Sequence, residues 1–361
     1  MGKVTDYIER AFEDDGKTSL TSPKALLLGI SKVYGALGRA KRVVYEKGLL
    51  ETKRLPARVV AIGNLTAGGT GKTPMTLFAA RWYREQGAKV VIVSRGYGGS
   101  LSKSGAVVSD GDVVFLSPFE AGDEPVMMAE QLPGVPVVIG SDRYAAGMEA
   151  CDRFKPDVVL LDDGYQHLRL GRDLNILLAD GKRPFGNGHV LPRGPLREPL
   201  AALSQADAVV LTRAEAGDTA SFSSHLPSSF ADEMKSLPVL SSTHRLSLSD
   251  GEGSPMTPDA LGPAFLFSGI AKNHAFEEGA RSLGVQVAGS HFFDDHHPYT
   301  ETEVLGLEAE ARASGANVLL TTDKDRVKVR SMATMSLATV SVSIDFNEDF
   351  DGITALLATQ I

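Results

Sequence analysis

A β-branched run, Arg58-Val-Val-Ala-Ile62, passes straight into Gly63-Asn-Leu-Thr-Ala-Gly-Gly-Thr-Gly-Lys-Thr-Pro74, and this junction constrains the fold more than any other stretch. Short valine- and isoleucine-rich runs read as buried strands, and proline suits the first turn of a helix. The stretch therefore predicts strand, glycine-rich loop and helix in succession. Gly68, Gly69 and Gly71 let backbone N–H groups converge on phosphate oxygens. Lys72 would reach the β- and γ-phosphates, and the Thr73 hydroxyl would hold Mg²⁺. The loop formed by Thr66, Ala67, Gly68, Gly69, Thr70, Gly71, Lys72 and Thr73 is thus read as a nucleoside triphosphate site. It departs from the usual G-x-x-x-x-G-K-[ST] pattern only at its first position, where Thr66 replaces glycine.

The 361 residues suggest two domains, and 43% apolar with 23% charged residues is ordinary globular composition. A net charge of −8 argues against a general nucleic-acid binder. One cysteine, Cys151, excludes an intramolecular disulfide and a cysteine-cluster metal site, and it reads as a small core residue. The first residues carry Asp6, Glu9, Glu13, Asp14 and Asp15 instead of a basic segment and an apolar run, so no export signal is expected. No apolar run approaches the length of a membrane span. Between Ser22 and Leu50, however, Leu26, Leu27, Ile30, Val33, Tyr34, Leu37, Val44 and Tyr45 recur at helical spacing among Lys24, Lys32, Arg39, Lys41, Arg42 and Lys47. This basic amphipathic pattern fits either a helix packed on the domain surface or one lying on an anionic bilayer.

Downstream the pattern alternates. A helix is expected over 75–85, then a buried strand over 89–94 running into Arg95-Gly-Tyr-Gly-Gly99, at the strand end where open α/β sheets place ligands. Arg95 and Tyr97 are site candidates on that ground. Gly122-Asp-Glu-Pro125 opens a helical run, and its two carboxylates fit either a favourable charge pair at a helix N-terminus or a site. Strands are expected over 136–139, 158–161, 174–179 and 208–211, with a helix over 142–154. The strand ending in Asp162-Asp163 is the usual metal-proximal partner of a phosphate loop. Residues 183–199 are too rich in proline and glycine for a regular element, which marks a functional loop. After a polar connecting stretch over 214–262, strands at 264–267, 285–287, 317–321 and 338–343 alternate with helices at 274–283, 300–313 and from 352. The expected class is α/β: a helical segment over 1–50, a P-loop parallel-sheet domain (an α/β/α sandwich) over 51–213, and a smaller C-terminal α/β domain over 214–361.

Taken in order, Gly63–Pro74, Ser94-Arg-Gly-Tyr-Gly98, Gly122-Asp-Glu-Pro125, Leu161-Asp-Asp-Gly-Tyr-Gln-His167, Arg183-Pro-Phe-Gly-Asn-Gly188, Gly194-Pro-Leu-Arg-Glu-Pro199, Phe267-Ser-Gly-Ile270, Asp295-His-His-Pro-Tyr299 and Thr321-Thr-Asp-Lys-Asp325 resemble the tetraacyldisaccharide 4′-kinases of lipid A biosynthesis. The match covers most of the chain, with small departures at Tyr165 and Asp323. The resemblance implies ATP-dependent phosphorylation of the 4′-hydroxyl of a tetraacylated glucosamine disaccharide 1-phosphate, with Mg²⁺, at the cytoplasmic face of a Gram-negative inner membrane. It implies two α/β/α domains joined by a two-stranded linker, with the Asp295-His296 segment entering the active-site cleft. It assigns Asp123 as catalytic base with His296 as partner, Glu124 close by, and Lys72 on phosphate. It sets Thr73, Asp162, Asp163 and Glu198 around the metal, and Arg95, Tyr97, Gln166, His167 and Arg197 as further site residues. The partners implied are the acylated lipid and the membrane surface; no nucleic acid and no obligate protein partner are expected.

The chemistry agrees, because a sugar hydroxyl does not ionise near neutrality and needs a carboxylate to take its proton as the phosphoryl group transfers. The rival class is a dimerising ATPase or metallochaperone GTPase with a similar loop. The former carries a lysine where this chain has Ala67, and the guanine-reading Asn-Lys-x-Asp pattern is absent, since Thr322-Asp-Lys-Asp325 lacks the asparagine. A soluble kinase of a small sugar would not need the helix over 22–50.

Overall fold

A computed structural model describes Phe12 and residues 23–215, 217–232 and 234–359. The acidic positions from Asp6 to Asp15 lie outside the described residues. The chain divides into two compact units, one drawn from Met1–Val93, Arg143–Thr243 and Ile344–Ile361 and the other from Ser94–Asp142 and His244–Ser343. The sequence reading drew one contiguous boundary near residue 213, whereas the units interleave. Three of the changes of unit fall close to or inside strands: after Val93 in Val90–Ser94, after Thr243 in Thr243–Asp250, and after Ser343 in Leu337–Asp345. Hydrophobic periodicity marks elements but carries no record of which of them share a core.

The first unit holds a parallel sheet in the order Val90–Ser94, Val158–Asp162, Arg58–Asn64, Leu174–Asp180, Ala208–Thr212 and Val239–Ser241. Its central strands are buried on both faces, which is why they read as unbroken apolar runs. At about 1.5–3 kcal/mol for each fully buried valine, leucine or isoleucine, this sheet is the main stabilising feature of the unit. Register then places the chemistry: Ile62 pairs with Asp162, so the acidic pair leaves its strand beside the residue where the glycine loop begins. The approach is close enough that a Cβ on Gly63 would sit 2.6 Å from the Tyr165 Cβ and 2.9 Å from its backbone nitrogen. Only glycine leaves room for that crossing.

The helix after the loop, Lys72–Glu85, starts three residues earlier than expected and ends where expected. Phe78 on this helix packs against the tilted Phe346 ring at 4.9 Å and meets Phe350 edge-on at 6.2 Å, while the Tyr83 hydroxyl donates to the Leu357 carbonyl at 2.9 Å. These contacts tie the terminal helix Phe350–Ala358 to the phosphate-loop unit. The helix Pro23–Glu46 is docked on the same unit through Ser31, which donates to the Val190 carbonyl at 2.7 Å and accepts from the Arg193 N–H at 2.9 Å. Cys151 is buried, as expected of a core residue.

The second unit contains an antiparallel pair, Ala106–Ser109 with Val137–Ile139. Its sheet runs in the order Pro255–Met256, Thr243–Asp250, Leu337–Asp345, Val318–Thr322, Ala264–Ser268 and Val287–Phe292. The last of these was expected over 285–287. It is an edge strand with half-buried and exposed residues, so its sequence carries little apolar signal. Thr243–Asp250 and Pro255–Met256 lie inside the stretch read as a connecting segment, and the helix Asp323–Val329 was not anticipated.

Candidate active site

Residues 66–71 form the loop expected of them, with Lys72 and Thr73 in the first turn of the helix that follows, and the loop's bracing comes from a residue the motif does not score. Asn64, fully buried, donates through Nδ2 to the Thr66 carbonyl at 2.7 Å and to the Thr70 hydroxyl at 2.8 Å, and its Oδ1 accepts from Lys72 Nζ at 3.4 Å. Gly68 and Gly71 hold φ of +109° and +81°. A Cβ added at Gly68 or Gly69 would meet nothing within 4 Å, so these glycines keep space over the loop open where packing does not require it. The loop is clasped on one side by residues 183–199. The Ala67 N–H donates to the Pro195 carbonyl at 2.7 Å, the Arg197 N–H to the Leu65 carbonyl at 2.6 Å, and Thr66 bridges Leu196. Arg213, also unanticipated, donates to the Gly69 carbonyl at 3.1 Å while its guanidinium holds Asp180 at 2.6 Å.

The acidic pair divides its work. Asp162 is buried and accepts from the Thr76 hydroxyl at 3.1 Å. Asp163 stands at φ +52°, in the left-handed region that aspartate adopts more readily than most non-glycine residues. Arg197 Nη1 reaches both Asp163 carboxylate oxygens, at 3.1 and 2.9 Å, and Lys72 Nζ lies 3.8 Å from Oδ1. Burial pushes the Asp163 carboxyl up, but Lys72 and Arg197 more than offset it and leave the group below its ordinary value. Gln166 donates to the Asn64 carbonyl at 2.6 Å, next to the loop brace. His167 is partly buried in the turn that follows. Glu198, expected beside the metal, is buried and ion-paired with Arg42 of the helix Pro23–Glu46. Its carboxylate anchors that helix.

In the other unit, Asp123 begins the helix Asp123–Gln131 directly after Gly122, whose φ is +91° and whose added Cβ would lie 2.5 Å from the Tyr97 carbonyl oxygen. Asp123 Oδ2 lies 3.0 Å from His296 Nδ1. The two were expected in different domains and share one unit, because Ser94–Asp142 folds with His244–Ser343. Asp123 is 6% exposed. Burial raises its pKa, but the hydrogen bond to His296 and the charges of Lys324 and Lys328 outweigh it, so the carboxylate is ionised at neutral pH.

A histidine at such a turn could serve simply as a cap for the helix that follows. The helix Glu301–Ala313 is instead capped by Thr300, whose hydroxyl accepts from the Glu303 N–H at 3.3 Å while Glu303 closes the capping box. His296 itself sits at φ +60°. The Tyr97 ring lies 5.3 Å from the imidazole and is largely exposed. Glu124 is half-exposed and 3.5 Å from Lys324, whereas the Arg95 side chain is exposed and its carbonyl accepts from Ser102.

A family model described as Tetraacyldisaccharide-1-P 4′-kinase matches residues 23–361. The chain belongs to the tetraacyldisaccharide 4′-kinase family. It is 47% identical over 305 residues to the tetraacyldisaccharide 4′-kinase of Geobacter metallireducens, covering 84% of this chain and 88% of that one. It is 38% identical over 352 residues to the Syntrophus aciditrophicus enzyme, covering 95% and 94%. A crystal structure of "apo" form LpxK from Aquifex aeolicus in complex with ATP superposes with a TM-score of 0.75 at 30% identity, over 93% of this chain and 98% of that one. The α/β P-loop reading and the kinase class expected from the sequence both stand.

Among the residues that sequence reasoning missed, Lys324 and Lys328 lie beside the Asp123–His296 pair, both 3.9 Å from Asp123 Oδ2. They belong to the Thr321–Asp325 motif and the helix it opens, which the sequence reading quoted without giving it a role. Asn64 and Arg213 were equally visible as residue types, but nothing in their spacing says that one braces a loop six residues on.

Proposed function

We propose that this protein transfers the γ-phosphoryl group of ATP to the 4′-hydroxyl of a tetraacylated glucosamine disaccharide 1-phosphate, the step giving lipid IVA in lipid A biosynthesis. The observation that carries this reading is the pairing of buried Asp123 with half-buried His296 at 3.0 Å, a base and its orienting partner in a chain that also holds a phosphate loop. Asp123 takes the hydroxyl proton as the phosphoryl group departs. His296 orients the carboxylate and stabilises its charge, while Lys72 and the loop N–H groups hold the β- and γ-phosphates. Thr73, Asp162 and Asp163 offer hard oxygen donors of the kind Mg²⁺ takes. When bound, Mg²⁺ neutralises charge on the transferring phosphates. Among the described residues no three His, Cys, Asp or Glu side chains gather as a cage, and Mg²⁺ held by one or two carboxylates plus substrate phosphates needs none.

The test is a transfer assay with γ-labelled ATP, offering acylated and deacylated disaccharide 1-phosphates. Label is expected on the acylated acceptor, and preference for the deacylated one would return the chain to the small-sugar kinases.

For the membrane, the helix Pro23–Glu46 supplies the argument. Ser31 and Arg42 are buried against the unit, while Leu26, Ile30, Val33, Tyr34 and Leu37 stay exposed on a helix that also carries Lys24, Lys32, Arg39 and Lys41. Beside it runs a groove of about 550 Å³ walled by Leu28, Gly35, Ala36, Val190, Pro199 and Leu200. Among the described residues no helix is long and apolar enough to cross a membrane. The helix is therefore docked on one edge and free to enter an anionic interface with the other. Each apolar side chain entering that interface contributes about 1 kcal/mol, so replacing Leu26, Val33 and Leu37 with serine is expected to weaken binding to anionic vesicles roughly a hundredfold. Unchanged vesicle sedimentation of a folded triple variant would reduce the helix to a packing element.

A further inference from the structure

The segment opened by Thr322 brings a third group to the Asp123–His296 pair. Lys324 Nζ lies 3.2 Å from His296 Nε2, 3.5 Å from Glu124 Oε1, 3.9 Å from Asp123 Oδ2 and 4.0 Å from Asp295 Oδ1. It is placed by the short helix Asp323–Val329, whose Thr322 cap accepts from the Asp325 N–H at 3.1 Å. Asp325, fully buried, accepts from the Gly269 N–H at 3.0 Å and pairs with Lys328 at 2.7 Å. Lys324 and Lys328 are four residues apart on this helix and therefore share a face.

An ammonium group has donors and no acceptor. Its contact with Nε2 is a hydrogen bond only when Nε2 is the unprotonated nitrogen of the ring. The single ring proton then sits on Nδ1, the atom that faces Asp123. Burial works against the charge on Lys324, but Glu124, Asp123 and Asp295 more than offset it and keep the amine protonated. We propose that Lys324 is a positioning residue of the transfer reaction: by donating to Nε2 it holds His296 as the neutral Nδ1–H tautomer and aims that N–H at the Asp123 carboxylate. This rests on the reading of Asp123 as the base. Without Lys324, Nε2 is open to a proton, with Asp295 Oδ2 3.8 Å away to stabilise it. An imidazolium there would hold the Asp123 charge more tightly and make it a poorer proton acceptor.

The charged and titratable groups around the imidazole are Asp123 and Glu124 from one helix, Asp295 from its own turn, and Lys324, Asp325 and Lys328 from the other helix, with the Tyr97 ring alongside. Removing one cation from this set raises the proton affinity of everything near it. The acid limb of kcat/KM in Lys324→Met therefore moves to higher pH, by about one unit. Its kcat falls about tenfold to a hundredfold, as when a histidine loses its outer hydrogen-bond partner, and the KM for ATP is unchanged. Lys324→Arg keeps a charged donor and restores most of the rate.

The direct readout needs no activity. In ¹⁵N-histidine spectra of the full chain, with His296→Asn used for assignment, His296 is expected to show a protonated Nδ1 and an unprotonated Nε2 near pH 8. A protonated Nε2 in the unmodified protein overturns the inference, as does a Lys324→Met enzyme with an unshifted pH profile. The expected tautomer combined with full transfer by Asp123→Ala would overturn the base assignment while the Lys324–His296 arrangement stood.

Discussion

Asp123→Ala is expected to slow single-turnover phosphoryl transfer by about 10²–10⁴-fold, the contribution of a positioned general base, and to leave ATP binding intact. The carboxylate is the only group within 3.0 Å of His296 Nδ1 among the contacts described, and it is buried, so water does not readily replace it as proton acceptor. His296→Ala should cost less, because the imidazole acts through the carboxylate, yet it should slow the same step. If the two work as one unit, the double variant loses less than the product of the single losses. Multiplicative losses would show that they act independently, and an unaffected His296→Ala enzyme would return that residue to a purely structural role.

Lys72→Ala is expected to abolish transfer in an ordinary assay, a loss on the order of 10³-fold for removing one preorganised cation from the phosphates. Lys72 is already directed by Asn64 Oδ1 at 3.4 Å and by Asp163 Oδ1 at 3.8 Å. The substitution therefore also removes one of the cations that hold Asp163 ionised, which compounds the effect. Turnover near that of the unmodified enzyme at saturating ATP would refute the assignment. Lys72→Arg keeps the charge on a larger planar head, and its expected partial activity separates the electrostatic contribution from the fit.

Parts of the site were legible because their chemistry is local. The run from Arg58 to Pro74 names its own strand, loop and helix, since each follows from the φ/ψ preferences and side chains of adjacent residues. The Asp123–His296 pairing came from the family resemblance. Spacing alone could not relate two residues 173 positions apart. Glu198, set around the metal by the family resemblance, is ion-paired with Arg42 from a helix 156 residues earlier, a contact that no motif spacing shows. The residues left out, Lys324, Lys328, Asn64 and Arg213, act through side-chain contacts that no motif spacing encodes.

The amino-acid sequence by itself determined the α/β class, the phosphate loop and the amphipathic helix, because backbone preference and hydrophobic period are properties of neighbouring residues. Tertiary structure alone decided that Ser94–Asp142 packs with His244–Ser343, that the terminal helix returns to the phosphate-loop unit, and that one lysine touches the far nitrogen of His296. Those outcomes depend on which buried surfaces fit one another and on where partial charges meet at about 3 Å, the distance over which a hydrogen bond is made or lost.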